Sequence, residues 1–446
     1  MNNLNKISLV IIIENERRES KIRRMIDLAP SAGEAIIALG SKADLPAGYK
    51  SVVRDPEESR VQFLNRAARL ASLDWILIMQ EDEKADGEAL NQLNLISDSY
   101  FKSRIVTGAQ PDQRHNYSVR LFPKTETGTD LFEGTIFPDL SNYIIANNLK
   151  PSPRPFEIEK KGAFINMSDL EALENSAPAT ALDYYWLGIY NLEKKKYHQA
   201  EKQFKYSLSS KLQIESDHLA ALNGLSVSLL EQHRLDEAFN IADQSSCDNE
   251  RQYTPWIVMH KVCWMKSDWA GAYEHLVKYQ EKSRYYSEAN FDLVLPPDDV
   301  SYLLSEVSLY NRDYSKAFRH LENYYELKKN EASDEIPERL FIYACELKMK
   351  QKAIGYFNEI YDRHILEKPD ENMMTGLLET LSLIEDIGWN DFASSVYEKM
   401  IDVYPGNHKI LQGWLTSLIR SNQVQKAKIV MEKMKNNKRV TASVLR

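Results

Sequence analysis

Glycine is scarce in this chain. There are 16 in 446 residues, about half the usual ~7%, which disfavours a loop-rich β architecture and leans toward helix. Cysteine is scarcer still: Cys247, Cys263 and Cys345, with no CxxC spacing. That excludes a disulfide framework and the common thiolate metal sites, and fits a reducing compartment. Long apolar runs are missing as well. The longest near the start is Ile7–Ile13, followed by Glu14, Arg17 and Arg18; it is far short of the ~20 residues of a membrane helix and has the wrong flanks for a signal peptide. A basic excess is also lacking. The 56 Lys and Arg are outnumbered by 65 Asp and Glu, for a net charge of −9, so a general nucleic-acid or membrane-surface binder is excluded. What is present is ordinary for a folded chain: 43% hydrophobic and 27% charged residues, with 24 Tyr. The expectation is a cytoplasmic protein of two or three domains.

The first ~150 residues alternate short apolar runs with amphipathic stretches. Ile7–Ile13 reads as a buried strand, Asn15 to Leu28 as a helix, Glu34–Leu39 as a second strand and Lys50–Val53 as a weak third. Glu58 to Ser72 reads as a helix, and Trp75–Met79 as a strand ending at Glu81, Asp82 and Glu83. This order implies parallel strands with right-handed crossovers. Ligands of such sheets bind at the carboxyl ends of the strands, here Glu14–Glu16, Ala38–Ser41 and Gln80–Glu83. Pro151, Pro153 and Pro155 then suggest a stiff connector over 151–170.

From about Leu170 the grammar is helical and repeats. Tyr184, Leu187, Gly188, Tyr197, Ala200, Phe204 and Ser207 fall on the tetratricopeptide pattern. The same Ala recurs at Ala238, Ala272, Ala317, Ala353, Ala393 and Ala427, at intervals of 38, 34, 45, 36, 40 and 34 residues. Excesses over the family unit of about 34 are loop insertions. Stacked helix pairs of this kind present a concave surface that takes a protein or peptide. The nine His lie singly, no two within four residues, so no helical metal pair exists, and each is expected on the repeat surface.

The architecture and several strings resemble the family 2 glycosyltransferases of the GT-A fold that carry a C-terminal tetratricopeptide array, including the bacterial S-glycosyltransferases of bacteriocins. The strings are Glu14-Asn15-Glu16 after the first strand, Ile37 to Asp44 after the second, Leu64-Asn65 in the helix, Gln80-Glu81-Asp82-Glu83 after the fourth strand, Arg120-Leu121-Phe122-Pro123, and Glu133 to Pro138. The resemblance implies a GT-A-like (Rossmann-like) domain over 1–150 and a tetratricopeptide-repeat domain over 171–446. It implies a nucleotide-sugar site at Glu14, Asn15, Glu16, Gly40, Ser41 and Asn65. It also implies Mn²⁺ or Mg²⁺ at Asp82, Glu81 and Glu133 if the chain is active.

The departures fall on the polar positions of that family. Leu39 stands for the base-reading Asp, Gln80 for the first Asp of Asp-x-Asp, Glu133 and Phe137 for two His, and Leu64 for an Arg. The expected protein is therefore a glycosyltransferase-like chain with an eroded donor site, acting in protein glycosylation as a binding or partner subunit. The alternatives are an active metal-dependent protein glycosyltransferase using displaced carboxylates, with Glu81 to Glu83 otherwise a solvated turn, and a pure interaction scaffold. A homo- or hetero-oligomer is compatible with each.

Overall fold

The computed structural model describes residues 3–13, 32–40, 49–80, 82–97, 99–107, 114–125, 130–134, 138–152, 156–160, 167–210, 212, 214–285, 287–328, 331, 333, 335–364, 371–404 and 407–444. The chain divides into two compact units: Met1–Asp268 with Glu274–Val294, and Trp269–Tyr273 with Leu295–Arg446.

The first unit opens on β1 (Ile7–Ile13), buried at all seven residues. An apolar run without alternation is what a strand covered on both faces requires. Val10 and Ile12 enter one core with Ile36, Ala38, Val61 and Leu64, while Leu9, Ile11 and Ile13 enter the other with Ile37, Leu39 and Leu77. β1 pairs in parallel with β2 (Glu34–Leu39) and β4 (Trp75–Gln80), and β2 with β3 (Lys50–Val53). Helix α1 (Arg60–Arg69) lies between β3 and β4. Ser59 starts it with a capping box to Gln62, and Val61, Phe63, Leu64, Ala67 and Ala68 are buried. The helix expected over Asn15 to Leu28 lies outside the described residues.

Beyond β4 the sheet continues through strands that the apolar pattern did not reveal. β5 (Glu83–Ala85), β6 (Ser99–Thr107), β7 (Arg114–Pro123), β8 (Lys150–Pro151) and β9 (Phe156–Lys160) complete it, in the order β3-β2-β1-β4-β7-β6-β9-β5 with β8 beside β6. β9 corrects the reading of 151–170 as a connector throughout. Its Phe156, Ile158 and Lys160 are buried and Glu157 and Glu159 exposed, the period-two pattern of a strand, overlooked beside three prolines. The run Glu81 to Glu83 is not a solvated turn throughout either: Glu83 begins β5 and is 2% exposed. Two short helices, α2 (Gly87–Asn91) and α3 (Ser141–Ala146), complete this part.

Helices follow from α4 (Met167–Glu174) onward. They pair as α5 (Ala181–Glu193) with α6 (Tyr197–Ser209), α7 (Glu215–Glu231) with α8 (Leu235–Asp248), and α9 (Thr254–Met265) with α10 (Trp269–Lys282). The second unit holds α11 (Pro297–Tyr310) with α12 (Tyr314–Lys328), α13 (Glu335–Glu346) with α14 (Lys350–His364), α15 (Glu371–Asp386) with α16 (Asn390–Val403), and α17 (His408–Arg420) with α18 (Val424–Val444).

All seven pairs turn in the same way. The turn centres on one left-handed residue: Lys195, His233, Ser267, Arg312, Lys348, Gly388 or Asn422, with φ between 56° and 89°. The next amide reaches back five residues to close each turn, as in Lys196 to the Asn191 carbonyl at 2.8 Å and Gln423 to the Leu418 carbonyl at 2.8 Å. This is the Schellman geometry, whose left-handed residue is most often Gly. Here it is Gly once. Each recurrent Ala lies five residues after that turn residue, and the first six are 0% exposed. Nine residues after it comes the residue that fills the hairpin: Phe204, Leu276, Leu321, Phe357 and Tyr397 are all buried. Phe204 shows how close the helices come. Its ring lies where a Cβ on Gly188 would be 2.6 Å from it, and where one on Gly224 of α7 would be 2.3 Å away. Among the described residues His260 departs from the expected surface position at 4% exposure, and His275 and His320 are half-buried.

Candidate functional site

The carboxyl ends of the parallel strands were the expected ligand site. Gly40 follows β2 there, its amide donating to the Ile13 carbonyl at 2.8 Å. Leu39, standing for the base-reading Asp, is a core residue at 3% exposure. Glu14, Asn15, Glu16, Ser41 and Glu81 lie outside the described residues.

At the end of β4 a closed charge cluster has formed. The Lys160 ammonium donates to the Gln80 side-chain oxygen and to Asp82 at 3.0 Å, and lies 3.7 Å from Glu83. Arg120 of β7 donates to Glu83 at 2.8 Å, and the Gln80 amide donates to the same carboxylate at 2.8 Å. The Glu83 side chain is fully buried and that of Lys160 is 5% exposed. Two cations thus neutralise the two described carboxylates and tie β4, β5, β7 and β9 together. A buried carboxylate left unpaired would cost several kcal/mol, so this pairing is what lets Glu83 be buried.

The other expected ligands are engaged elsewhere. Asn65 is buried on α1; its amide donates to the Phe132 carbonyl and its oxygen accepts from the Phe132 amide, both at 2.8 Å. Its hydrogen bonds clamp a loop to a helix. Glu133 follows directly, and its carboxylate accepts from Asn142 at 2.5 Å. The structure therefore brings Asn65 close to Glu133, and Asp82 to Gln80 and Lys160. Among the described residues no group of three or more His, Cys, Asp or Glu could hold a metal ion, and with Asp82 already on Lys160 the described donor set does not fit one. An open depression beside α1, lined by Glu58, Gln62, Asn65, Arg66, Arg69 and Asp130, is no freer. Arg66 is paired with Glu58 at 2.6 Å, and Arg69 with Asp130.

Sequence reasoning missed two buried polar clusters in the same unit. In the first, Asp139 accepts from the Ser141 amide ahead of α3, Asp183 accepts from the Thr180 amide at the start of α5, and Asp217 in the first turn of α7 accepts from Asn290. Helix starts favour anions. Burial still pushes the Asp217 carboxyl up to about 7, with the charge of Asp139 adding to the effect. Asp139 is pushed up too, by burial first and then by Asp183 and Glu133.

The second cluster holds residues 287–294. Asn223 of α7, Ser245 of α8 and Gln252 are all 0% exposed. Ser245 donates to the Asn223 oxygen at 2.9 Å; the Asn223 amide donates to Gln252 at 3.0 Å and to the main-chain carbonyl of Phe291 at 3.1 Å. Asp292 accepts from the amides of Tyr253 (3.0 Å) and Thr254 (2.6 Å) at the start of α9. The only prior sign was the 45-residue interval from Ala272 to Ala317, which marks an insertion without saying where it lies.

No family model and no curated protein matches the sequence. Solved structures do. The Naa15/Naa10 complex bound to HypK-THB matches at 14% identity and a TM-score of 0.42, covering 57% of this chain and 36% of that one. The Cut9-Hcn1 hetero-tetramer of the APC/C matches at 18% and 0.30, covering 56% and 45%. The chain thus spans less than half of each of these. PilF of Pseudomonas aeruginosa matches at 16% and 0.31, covering 52% and 94%. With scores below 0.5, no property of those proteins is carried to this chain. No helix among the described residues is long and apolar enough to cross a membrane.

Proposed function

We propose that the chain is an interaction scaffold whose helical hairpins bind polypeptide, with the α/β sheet as a structural or ligand-binding part. One observation carries this reading: α7 and the start of α9 hold a bent, non-helical stretch of polypeptide, residues 287–294, through main-chain hydrogen bonds. The sheet offers less. Its described carboxylates at the β4 end are neutralised by Lys160 and Arg120, and the Asn65 amide is engaged by Phe132. The test is photo-crosslinking in the full chain from exposed helix positions, Tyr206 of α6 and Ile342 of α13. Discrete polypeptide adducts at these positions, lost on competition with excess unlabelled chain, are expected. Turnover of a nucleotide sugar without any such adduct would sink the reading.

A second reading, a protein glycosyltransferase or its partner subunit, is supported by the parallel order β3-β2-β1-β4 and by Gly40 at a strand end, where such sheets take ligands. It takes Mn²⁺ or Mg²⁺ only if Asp82 leaves Lys160. Thermal stabilisation by a nucleoside diphosphate, with and without Mn²⁺, tests it; no shift at millimolar ligand counts against it.

A further inference from the structure

The seven hairpins share a register, and the recurrent Ala sets it. Four residues after that Ala stands Phe204, Ala242, Leu276, Leu321, Phe357 or Tyr397 in the first six, each of them buried. In the seventh, α17 with α18, the same place holds Met431, which is 45% exposed. The helix before the turn departs likewise. Seven residues ahead of the left-handed turn residue, Ser305, Phe341 and Leu381 are buried, whereas Leu415 is half-buried. Three residues ahead of it, Leu230 and Cys345 are buried, whereas Ile419 is 61% exposed.

Elsewhere these positions are covered by the next hairpin. Phe204 lies against Gly224 of α7, and Tyr397 against Gly413 of α17. Phe357 packs edge-on against Phe392 of α16, with ring centroids 5.5 Å apart. The places of Leu415 and Met431 are held in the fifth hairpin by Phe341 and Phe357, whose rings are 5.9 Å apart. Leu415 and Met431 are thus neighbours across the seventh hairpin. Ile419 lies one turn from Leu415 on the same side of α17. The three form an apolar face of the kind that receives a helix, and here it meets solvent. Exposed apolar surface of this kind marks an interaction site.

The charge on this face has one sign. Lys428 and Lys435 stand three residues before and four residues after Met431, on one stripe of α18. In α12 their places are taken by Phe318 and Tyr325, both buried, so the two lysines belong to the same contact face. Both are exposed, and among the described residues neither meets a carboxylate. Their neighbours are engaged: Lys426 pairs with Glu398 at 3.1 Å, and the Lys433 ammonium lies 5.8 Å from the centre of the Trp414 ring. Glu432 is the one acidic residue in the sequence of α18.

We propose that this face of α17 and α18 docks one amphipathic helix of a partner polypeptide. The apolar stripe of that helix lies on Leu415, Ile419 and Met431, and its acidic flanks lie on Lys428 and Lys435. A second copy of this chain is the poorer occupant, because a two-fold contact through this face sets lysine against lysine. An acidic flank meets both lysines with opposite charge instead. This rests on the scaffold reading above and goes further, in naming the docking face and the fold and charge of what it takes.

The probe is a fluorescein-labelled peptide that repeats Leu-Ala-Gln-Leu-Glu-Ala-Glu over about 20 residues, long enough to form a helix. Its counterpart carries Lys for each Glu. Anisotropy is followed against the full chain. The acidic peptide is expected to bind at least ten-fold more tightly than its counterpart, against the chain's net charge of −9. Lys428→Glu with Lys435→Glu should invert that preference. Ile419→Ser with Met431→Ser, at exposed positions, should weaken binding of the acidic peptide ten-fold or more. Equal or reversed preference in the wild type, no binding of either peptide, or unchanged binding by the Ser pair overturns the proposal. So does a wild-type dimer in sedimentation that the Ser pair abolishes. Should a variant not fold, methyl NMR on the wild type decides: the acidic peptide must shift the Ile419 and Met431 methyl signals, and unmoved signals refute docking there. Failure here with crosslinks at Tyr206 and Ile342 intact leaves the scaffold reading standing; loss of those crosslinks refutes that reading itself.

Discussion

Replacing Gly224 by Ala tests the packing of the helical hairpins, because local and tertiary effects have opposite signs. In an exposed helix interior the change stabilises by about 1 kcal/mol. In α7 the new Cβ would stand 2.3 Å from the Phe204 ring, where carbon atoms settle at about 3.5–4.0 Å. The ring must therefore move by more than about 1 Å. It is 0% exposed, and its other side faces Gly188, where a Cβ would stand 2.6 Å away, so it has nowhere to go. Overpacking of this kind costs about 1–3 kcal/mol or more. The net expectation is a loss of up to about 2 kcal/mol after the helix gain is subtracted. Gly355 and Gly376 are the controls, since nothing lies within 4 Å of a Cβ built on either; Ala at each is expected to stabilise by about 1 kcal/mol. Urea unfolding followed by circular dichroism measures all three. Shrinking the ring with Phe204→Leu in the Gly224→Ala background should return part of the loss. If Gly224→Ala is as stabilising as Gly355→Ala, the close approach of α6 and α7 is wrong.

Three further outcomes follow from the charged clusters. Burial opposes ionisation of Glu34, but donors from Lys50, Ser8 and Ser72 outweigh it and hold the carboxyl at about 2; its contribution, reduced by solvent screening at half-exposed Lys50 to about 1–2 kcal/mol, is complete above its ordinary pKa of about 4.5 and disappears as pH falls from there toward 2. Glu34→Gln should therefore flatten the acid limb of a stability–pH curve, and an unchanged limb would refute the assignment. Asp217 has the opposite sign: a carboxyl raised to about 7 costs stability as pH climbs from about 4 to 7, so Asp217→Asn should raise the melting temperature at pH 7.5 and change it little at pH 4, and an equal change at both pH values would contradict this. Lys160→Met removes one of the two cations beside buried Glu83 and should destabilise by about 3 kcal/mol, with part recovered by adding Asp82→Asn; a neutral single variant in urea unfolding would show that the cluster is not what holds β4, β5 and β9 together.

What the sequence disclosed and what it hid have physical causes. Three of the four parallel strands, β1, β2 and β4, were legible because burial on both faces leaves an apolar run, as in Ile7–Ile13, whereas β3 is largely exposed and its sequence signal was weak. The recurrent Ala was legible because close helix packing tolerates little else at that position. The turns that set the Ala register were not, since Lys195, His233, Ser267, Arg312, Lys348 and Asn422 adopt a left-handed φ without being Gly. Low glycine content, first a sign of helix, is thus partly a substitution at helix ends. β9 was hidden because its charged residues and adjacent prolines outweighed two apolar positions. The candidate site failed to be legible for a different reason. Lys160 lies 78 residues from Asp82 and Phe132 lies 67 from Asn65, so a side chain that looks free along the chain is engaged across it. The fate of the insertion at 287–294 was equally a matter of long-range contact.

The most direct test of the account is hydrogen exchange on the full chain with and without a crosslink-identified polypeptide partner. The account predicts new protection on the helical hairpins. Protection confined to Leu39, Gly40 and Gln80 to Glu83, and dependent on a nucleotide sugar, would contradict it.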